Sequence, residues 1–177
     1  KDALVACVAE HHKLPHQWAK ARNSLQKSGW RSVCSPARPS LKTLTGTHGG
    51  TAIMSRSHLH LTPFKDKKLG DNGFDWSAII LRLKGVNVLL VSVYLTCSIG
   101  MKGDNLIKIK ELIKLCLGAN MPFILLGDWN MSPSILNSTG WLDIIKAEVM
   151  VPDNVQFTCD TGGMLDYAVV ARSIRGA

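Results

Sequence analysis

Asp128 and Asn130 close the stretch Phe123-Ile-Leu-Leu-Gly-Asp-Trp-Asn130. The apolar run Phe123 to Leu126 reads as a strand buried on both faces. In extended backbone, Asp128 and Asn130 point the same way, which puts a carboxylate and an amide together at the mouth of a buried sheet. Such a pair can hold a hard cation or a phosphate oxygen. The plain alternative is a capped turn, since Asp, Asn and Ser are common after strands. Gly127 lets the backbone bend or approach a neighbour closely. Ser132-Pro133 reads as the cap and first residue of a short helix reaching Asn137.

Two further carboxylates stand at strand ends. Glu10 follows the apolar run Ala3 to Ala9, and Asp166 lies near the start of the strand Leu165 to Ala171. Each alone reads as a turn or cap residue. His11 and His12 adjoin Glu10 and are candidates to touch a substrate held there. Lys65, Lys67, Lys68 and Lys102 lie in loops and are candidates for contact with a polyanion backbone, or are simply solvated charges. His58 and His60 share a strand face, which an exposed surface explains more simply than an adventitious metal does.

The elements that must position these groups follow from periodicity and breakers. Residues from Gln17 to Ser28 carry helix formers with Trp18, Ala21 and Leu25 at helical spacing, and Gly29 is a suitable stop. Trp30 to Cys34 reads as a short strand and Ser35 to His48 as a loop. Gly49-Gly50 turns into a strand reaching Arg56, with a continuation over Leu59 to Phe64. Trp76 to Leu83 and Asn87 to Tyr94 form a hairpin through Lys84-Gly85. Thr96 to Gly103 is a loop before the clearest helix, Asn105 to Leu117, capped by Asp104. Its apolar face holds Leu106, Ile109, Ile113 and Cys116, widened by Ile107, Leu112 and Leu117. Glu111 can meet Lys108 or Lys114. Trp141 to Ile145 reads as a packed segment and Asn154 to Gly163 as a loop.

The 177 residues fit one domain, 1–177, with a substantial core. A hydrophobic content of 46% against 19% charged excludes a disordered chain, and no apolar run is long enough to span a membrane. The net charge of +8 favours a polyanionic partner, nucleic acid first and an anionic membrane surface second. Five cysteines lie far apart with no CxxC, so their spacing does not suggest a zinc site. Their odd number favours a reducing, intracellular compartment, the nucleus among them.

Taken in order, these segments resemble the endonuclease/exonuclease/phosphatase superfamily, whose fold is that of DNase I and the class II abasic-site endonucleases. Ala3 to Glu10 is similar to the family's strand ending in a metal-binding Glu, and Gly49-Gly-Thr-Ala-Ile-Met-Ser-Arg56 to its Gly-Gly strand. Val91-Ser-Val-Tyr94 resembles the strand carrying a site tyrosine, Gly127-Asp-Trp-Asn130 the Gly-Asp-x-Asn signature, and Leu165-Asp-Tyr167 the Asp-Tyr strand. Glu-His-His early and Asp-Trp-Asn-Met-Ser-Pro later also look like endonuclease domains of non-LTR retrotransposons. Two family features fall outside the chain: an asparagine strand before the Glu strand, and a closing Ser-Asp-His strand.

The resemblance implies an α/β fold, a DNase I-like four-layer sandwich of two mixed β-sheets flanked by helices and incomplete at both termini. It implies divalent-metal-dependent phosphodiester hydrolysis with Mg²⁺ or Mn²⁺, most simply by a monomeric DNA endonuclease, with RNA as a second substrate. Glu10 would be the metal ligand and Tyr94 would contact the phosphate. Asp128 would orient or deprotonate the water and Asn130 would donate to a phosphate oxygen. Asp166 would orient a catalytic His that this chain does not carry by motif. The alternatives are a phosphatase acting on inositol or sphingolipid headgroups, and a catalytically incompetent nucleic-acid-binding fragment.

Overall fold

The computed structural model describes residues 3–40, 45–59, 61–64, 75–160 and 162–174. Lys65, Lys67, Lys68 and His60 lie outside the described residues. In chain order the elements are β1 (Val5–Val8), α1 (Pro15–Lys27), β2 (Trp30–Ser35), β3 (Arg38–Pro39), β4 (Thr47–His48), β5 (Thr51–Arg56), β6 (Leu61–Pro63), β7 (Trp76–Leu83), β8 (Val86–Tyr94), α2 (Gly103–Ala119), β9 (Phe123–Asp128), α3 (Pro133–Ser138), α4 (Trp141–Ile144), β10 (Ala147–Met150) and β11 (Asp166–Ala171), closed by a 3₁₀ turn at Arg172–Ile174.

Two sheets face each other. The larger runs β10-β11-β9-β8-β7-β6 and the smaller β1-β5-β2, with β3 and β4 forming a separate ribbon. The mixed character sits in the larger sheet, through its parallel β8–β9 pair. Both pairings of the smaller sheet are antiparallel.

Strand alternation in β8 divides the core. Leu89, Val91 and Val93 pack with Ile109, Leu112, Leu115 and Cys116 of α2. Leu90, on the opposite face, packs between the sheets with Ile53, Ile79 and Leu81. Since β8 side chains alternate, Ser92 and Tyr94 also face the smaller sheet. Ser92 Oγ donates to the Val8 carbonyl at 3.0 Å, which ties β8 to β1 just before the site.

Several local expectations are corrected. Helix α2 starts at Gly103 after Lys102, so Asp104 lies inside its first turn; Gly118 is helical, and Asn120 ends the helix in the left-handed region. The buried face of α2 is Asn105, Lys108, Ile109, Leu112, Leu115 and Cys116, while Leu106, Ile107 and Leu117 are exposed. Glu111 pairs with Lys114, whereas Lys108 is buried elsewhere. Helix α1 begins at Pro15, a residue type suited to a first turn, where no N–H partner is lost. The segment read as loop from Ser35 to His48 contains the β3–β4 ribbon, and His58 lies on a turn after β5. Strand β10, at the sheet edge beside β11, had no sequence counterpart.

Candidate active site

Register builds the site. In the parallel β8–β9 pair Tyr94 lies opposite Asp128, and in the antiparallel β9–β11 pair Asp166 lies opposite Asp128. Tyr94, Asp128 and Asp166 therefore form one row across three adjacent strands, on the face turned towards the smaller sheet. Gly127 allows the close spacing behind this row. A Cβ there would run into the Val93 carbonyl and stand 2.7 Å from its carbon.

Glu10 reaches the row from the other sheet. Its Oε1 accepts the Tyr94 hydroxyl at 2.8 Å. Glu10 and His12 both have positive φ, and the segment is held by main-chain bonds: His11 N donates to Gly50 O at 3.1 Å and His12 N to Gly49 O at 3.2 Å. Gly50 has φ +87°, and a Cβ on it would stand 2.6 Å from His11 Cε1. Its lack of a side chain is thus needed for the close approach of the Glu10 segment.

The two histidines part company. His12 lies beside the site, its Nε2 3.8 Å from Glu10 Oε1 and its Nδ1 paired with the Thr47 carbonyl at 2.9 Å. His11 stacks on Trp18 with ring centroids 4.8 Å apart, and its Nδ1 accepts the Lys13 N–H at 2.9 Å. Burial pushes the His11 ring below the usual histidine range. His11 thus packs against Trp18, turned away from Glu10's partner His12. Lys102 is exposed at the start of α2.

The backbone turns at Asn130, φ +48°, instead of staying extended, yet the expected pairing with Asp128 survives by another route. Asn130 N donates to Asp128 Oδ1 and Asn130 Nδ2 to Oδ2, both at 2.9 Å. Asn130 Nδ2 also donates to the Leu95 carbonyl at 2.7 Å. Both amide hydrogens are thereby engaged, so in this structure Asn130 orients Asp128. Between them, Trp129 is fully buried, stacks on Tyr167 and donates Nε1–H to the Tyr167 carbonyl at 3.0 Å. Behind Asp166, the Thr158 hydroxyl accepts the N–H groups of Leu165 and Asp166, each at 2.9 Å.

The electrostatics of the row are those of crowded carboxylates. Burial, joined by the charges of Asp166 and Glu10, pushes the Asp128 carboxyl up to about 6, against the two Asn130 donations. Burial, the bond to Glu10 and nearby carboxylates hold the Tyr94 hydroxyl above its ordinary range. Among the described residues no three His, Cys, Asp or Glu side chains are close enough to enclose a metal. A cation bound by one carboxylate and several waters needs no such enclosure, and that is the habit of Mg²⁺. The donor set is all oxygen: Cys7, which lines the adjoining cavity of about 470 Å³ with Asp128 and Asp166, has its thiol pushed up to about 12 by burial. Mutual repulsion among Glu10, Asp128 and Asp166 is what a divalent cation would relieve.

Residues that sequence reasoning missed are Asp75, Asn105, Lys108 and Thr158. For Asn105 and Lys108 a signal existed. They fall on the same helical stripe as Ile109, Leu112 and Leu115, and polar groups on a buried stripe need partners.

The model of the Endonuclease/Exonuclease/phosphatase family matches residues 2–175. No curated protein sequence matches the chain. Among solved structures, the fold is similar to the human Nocturnin catalytic domain with bound sulfate (14% identity, TM-score 0.61, covering 95% of this chain and 69% of that one). It is also similar to the 3′ phosphatase NExo from Neisseria bound to a product DNA hairpin (15%, 0.58, 96% and 76%). A third is the endonuclease domain of TRAS1, a telomere-specific non-LTR retrotransposon (19%, 0.58, 82% and 68%).

Proposed function

The chain belongs to the endonuclease/exonuclease/phosphatase family, and on that premise we propose that it hydrolyses phosphodiester bonds of nucleic acid, DNA first, with the help of a divalent cation. The observation that carries this reading is the meeting of Glu10 from one sheet with the Tyr94–Asp128–Asp166 row of the other. Glu10 would hold Mg²⁺ or Mn²⁺, which when bound supplies charge neutralisation at the phosphoryl oxygens. Tyr94 holds Glu10 and presents its ring edge to the phosphate. Asp128, oriented by Asn130, takes the proton of the attacking water; a carboxyl near pH 6 is better matched to that task than an ordinary aspartate. Asp166 adds negative charge at the far end of the row and serves as an orienting group for a general acid–base partner. His12, Lys102 and the lysines Lys65, Lys67 and Lys68 are proposed contacts for the nucleic-acid backbone, in line with the net charge of +8.

A phosphatase acting on small headgroups is a second reading that the family permits, and simple nucleic-acid binding without turnover is a third. Charge separates the first two, because a strongly basic chain gains most from a polymer of phosphates. The experiment is nicking of supercoiled plasmid by the purified protein with Mg²⁺, with EDTA, and by Asp128→Asn. Nicking that requires Mg²⁺ and is lost in the variant is expected. Phosphate release from inositol phosphates without nicking would replace this reading by the second. Salt-sensitive duplex binding with no hydrolysis of either substrate would replace it by the third.

A further inference from the structure

The end of β8 leaves no backbone group unpaired. Tyr94 N donates to Asp75 O at 2.9 Å, and Tyr94 O accepts from Lys108 Nζ at 3.3 Å. Leu95 N donates to Asp128 O at 2.9 Å, and Leu95 O accepts from Asn130 Nδ2 at 2.7 Å. Thr96 N donates to Asn105 Oδ1 at 2.7 Å, and Thr96 O accepts from Asn105 Nδ2 at 2.9 Å. Two of these partners are the site residues Asp128 and Asn130. The others are Asp75 and two polar residues that α2 turns inward.

Lys108 is the costly member of this set. It is 3% exposed and, apart from Asn105, stands alone as a polar residue on the apolar buried stripe of α2. Its ammonium has three donors, and three oxygens meet it: Asp75 Oδ2 at 2.7 Å, Thr96 Oγ1 at 3.1 Å and the Tyr94 carbonyl. Nζ also stands 5.4 Å from the centroid of the Tyr94 ring. Asp75, equally buried, takes Arg38 Nη2 at 2.7 Å on the same oxygen. Its other oxygen lies against Gly49, where a Cβ would collide with it, and 3.4 Å from Gly50 N. One carboxylate thus touches both the Gly49–Gly50 turn that straps the Glu10 segment and the lysine that holds Tyr94.

A buried ion pair is an inefficient way to stabilise a fold, and well-packed apolar residues commonly do as well. Methionine at position 108 would suit the stripe. The charge is explained by what it holds. We propose that Lys108, seated on Asp75, is a positioning residue that sets the place of Tyr94 and, through the Tyr94 hydroxyl, of Glu10. The proposal rests on the reading of Glu10, Tyr94 and Asp128 as the reacting set only in its kinetic consequences.

The test is Lys108→Met, which leaves Asp75 paired with Arg38 and so creates no orphaned charge. Two readouts are taken on the same purified chain. The sequence has two tyrosines, Tyr94 and Tyr167, so their ring ¹³C–¹H resonances separate once Tyr167→Phe assigns them. In Lys108→Met the Tyr94 resonances are expected to shift and broaden. In Mg²⁺-dependent nicking kcat is expected to fall by on the order of tenfold to a hundredfold. KM for DNA should stay within about twofold, because Lys108 is buried away from any substrate. If Lys108→Met does not fold, the double variant Asp75→Asn/Lys108→Met, in which the buried pair carries no charge, is measured the same way. A folded variant with native Tyr94 resonances and native kcat overturns the proposal. Should the unsubstituted protein itself fail to nick, the functional reading falls, while the Tyr94 resonances still decide the positioning role.

Discussion

The Tyr94 hydroxyl donates to Glu10 Oε1 at 2.8 Å across 84 residues of sequence, and the bond bridges the two sheets. Glu10 is thereby fixed by a side chain of the opposite sheet, while the backbone that follows it, at His11 and His12, is fixed by the Gly49–Gly50 turn. A candidate metal ligand with both ends tethered is preorganised, and little reorganisation is left to oppose the reaction.

Tyr94→Phe removes the tether and little else. Stability should fall by about 1 kcal/mol, the usual net value of one hydrogen bond. Binding of Mn²⁺, followed by the relaxation of water protons, should weaken several-fold because Glu10 is free to turn to solvent. Native Mn²⁺ affinity in the variant would show that Glu10 is not held for a metal by this bond.

Asp128 links the site to pH. Burial and the neighbouring carboxylates push its carboxyl up to about 6 in the folded protein, from the 3.8 of an ordinary aspartate in an unfolded chain. Between those values the folded state binds more protons than the unfolded one, so stability should rise as pH falls from about 6 towards 4. Thermal unfolding of the metal-free protein across this range should show that slope, and Asp128→Asn should lose it. Saturating Mg²⁺ should flatten it as well, by favouring the ionised carboxylate. A slope unaltered in Asp128→Asn would assign the linkage to another group.

Gly127→Ala tests the strand spacing behind the row. The added Cβ would meet main-chain atoms of Val93 that no side-chain rotation can move. A loss of about 3 kcal/mol or more in urea unfolding is expected, since backbone must shift. Gly118→Ala, on a helix with open space around the site of the new methyl, should be neutral or slightly stabilising by propensity. Equal effects of the two substitutions would remove the close-approach argument.

The order of apolar runs, glycines and carboxylates was enough to place the strands β1, β5, β7, β8, β9 and β11 within a residue or two, and to single out Glu10, Asp128 and Asp166; Tyr94 was singled out by the family resemblance alone. That information is local: a buried strand is a short apolar run, and a functional carboxylate at its end breaks the run. Family resemblance supplied their proposed roles, because no spacing rule brings residue 10 to residue 94.

Tertiary structure decided the rest. It turned His11 towards Trp18 and left His12 beside Glu10, although the two are adjacent in sequence, because left-handed backbone at Glu10 and His12 sets where each ring goes. It bent the chain at Asn130 and joined that residue to Asp128 through its backbone N–H and one side-chain amide hydrogen, the other going to the Leu95 carbonyl, where an extended reading had merely set them side by side. It also reversed the reading of Lys108. A lysine three residues from a glutamate looks like half of a surface ion pair. Only the rotation of α2 about its axis, set by which apolar residues the larger sheet accepts, determines that this lysine faces inward to Asp75. Charge type is written in the sequence, but the direction a charge faces is a property of packing, and packing is a balance over contacts far apart along the chain.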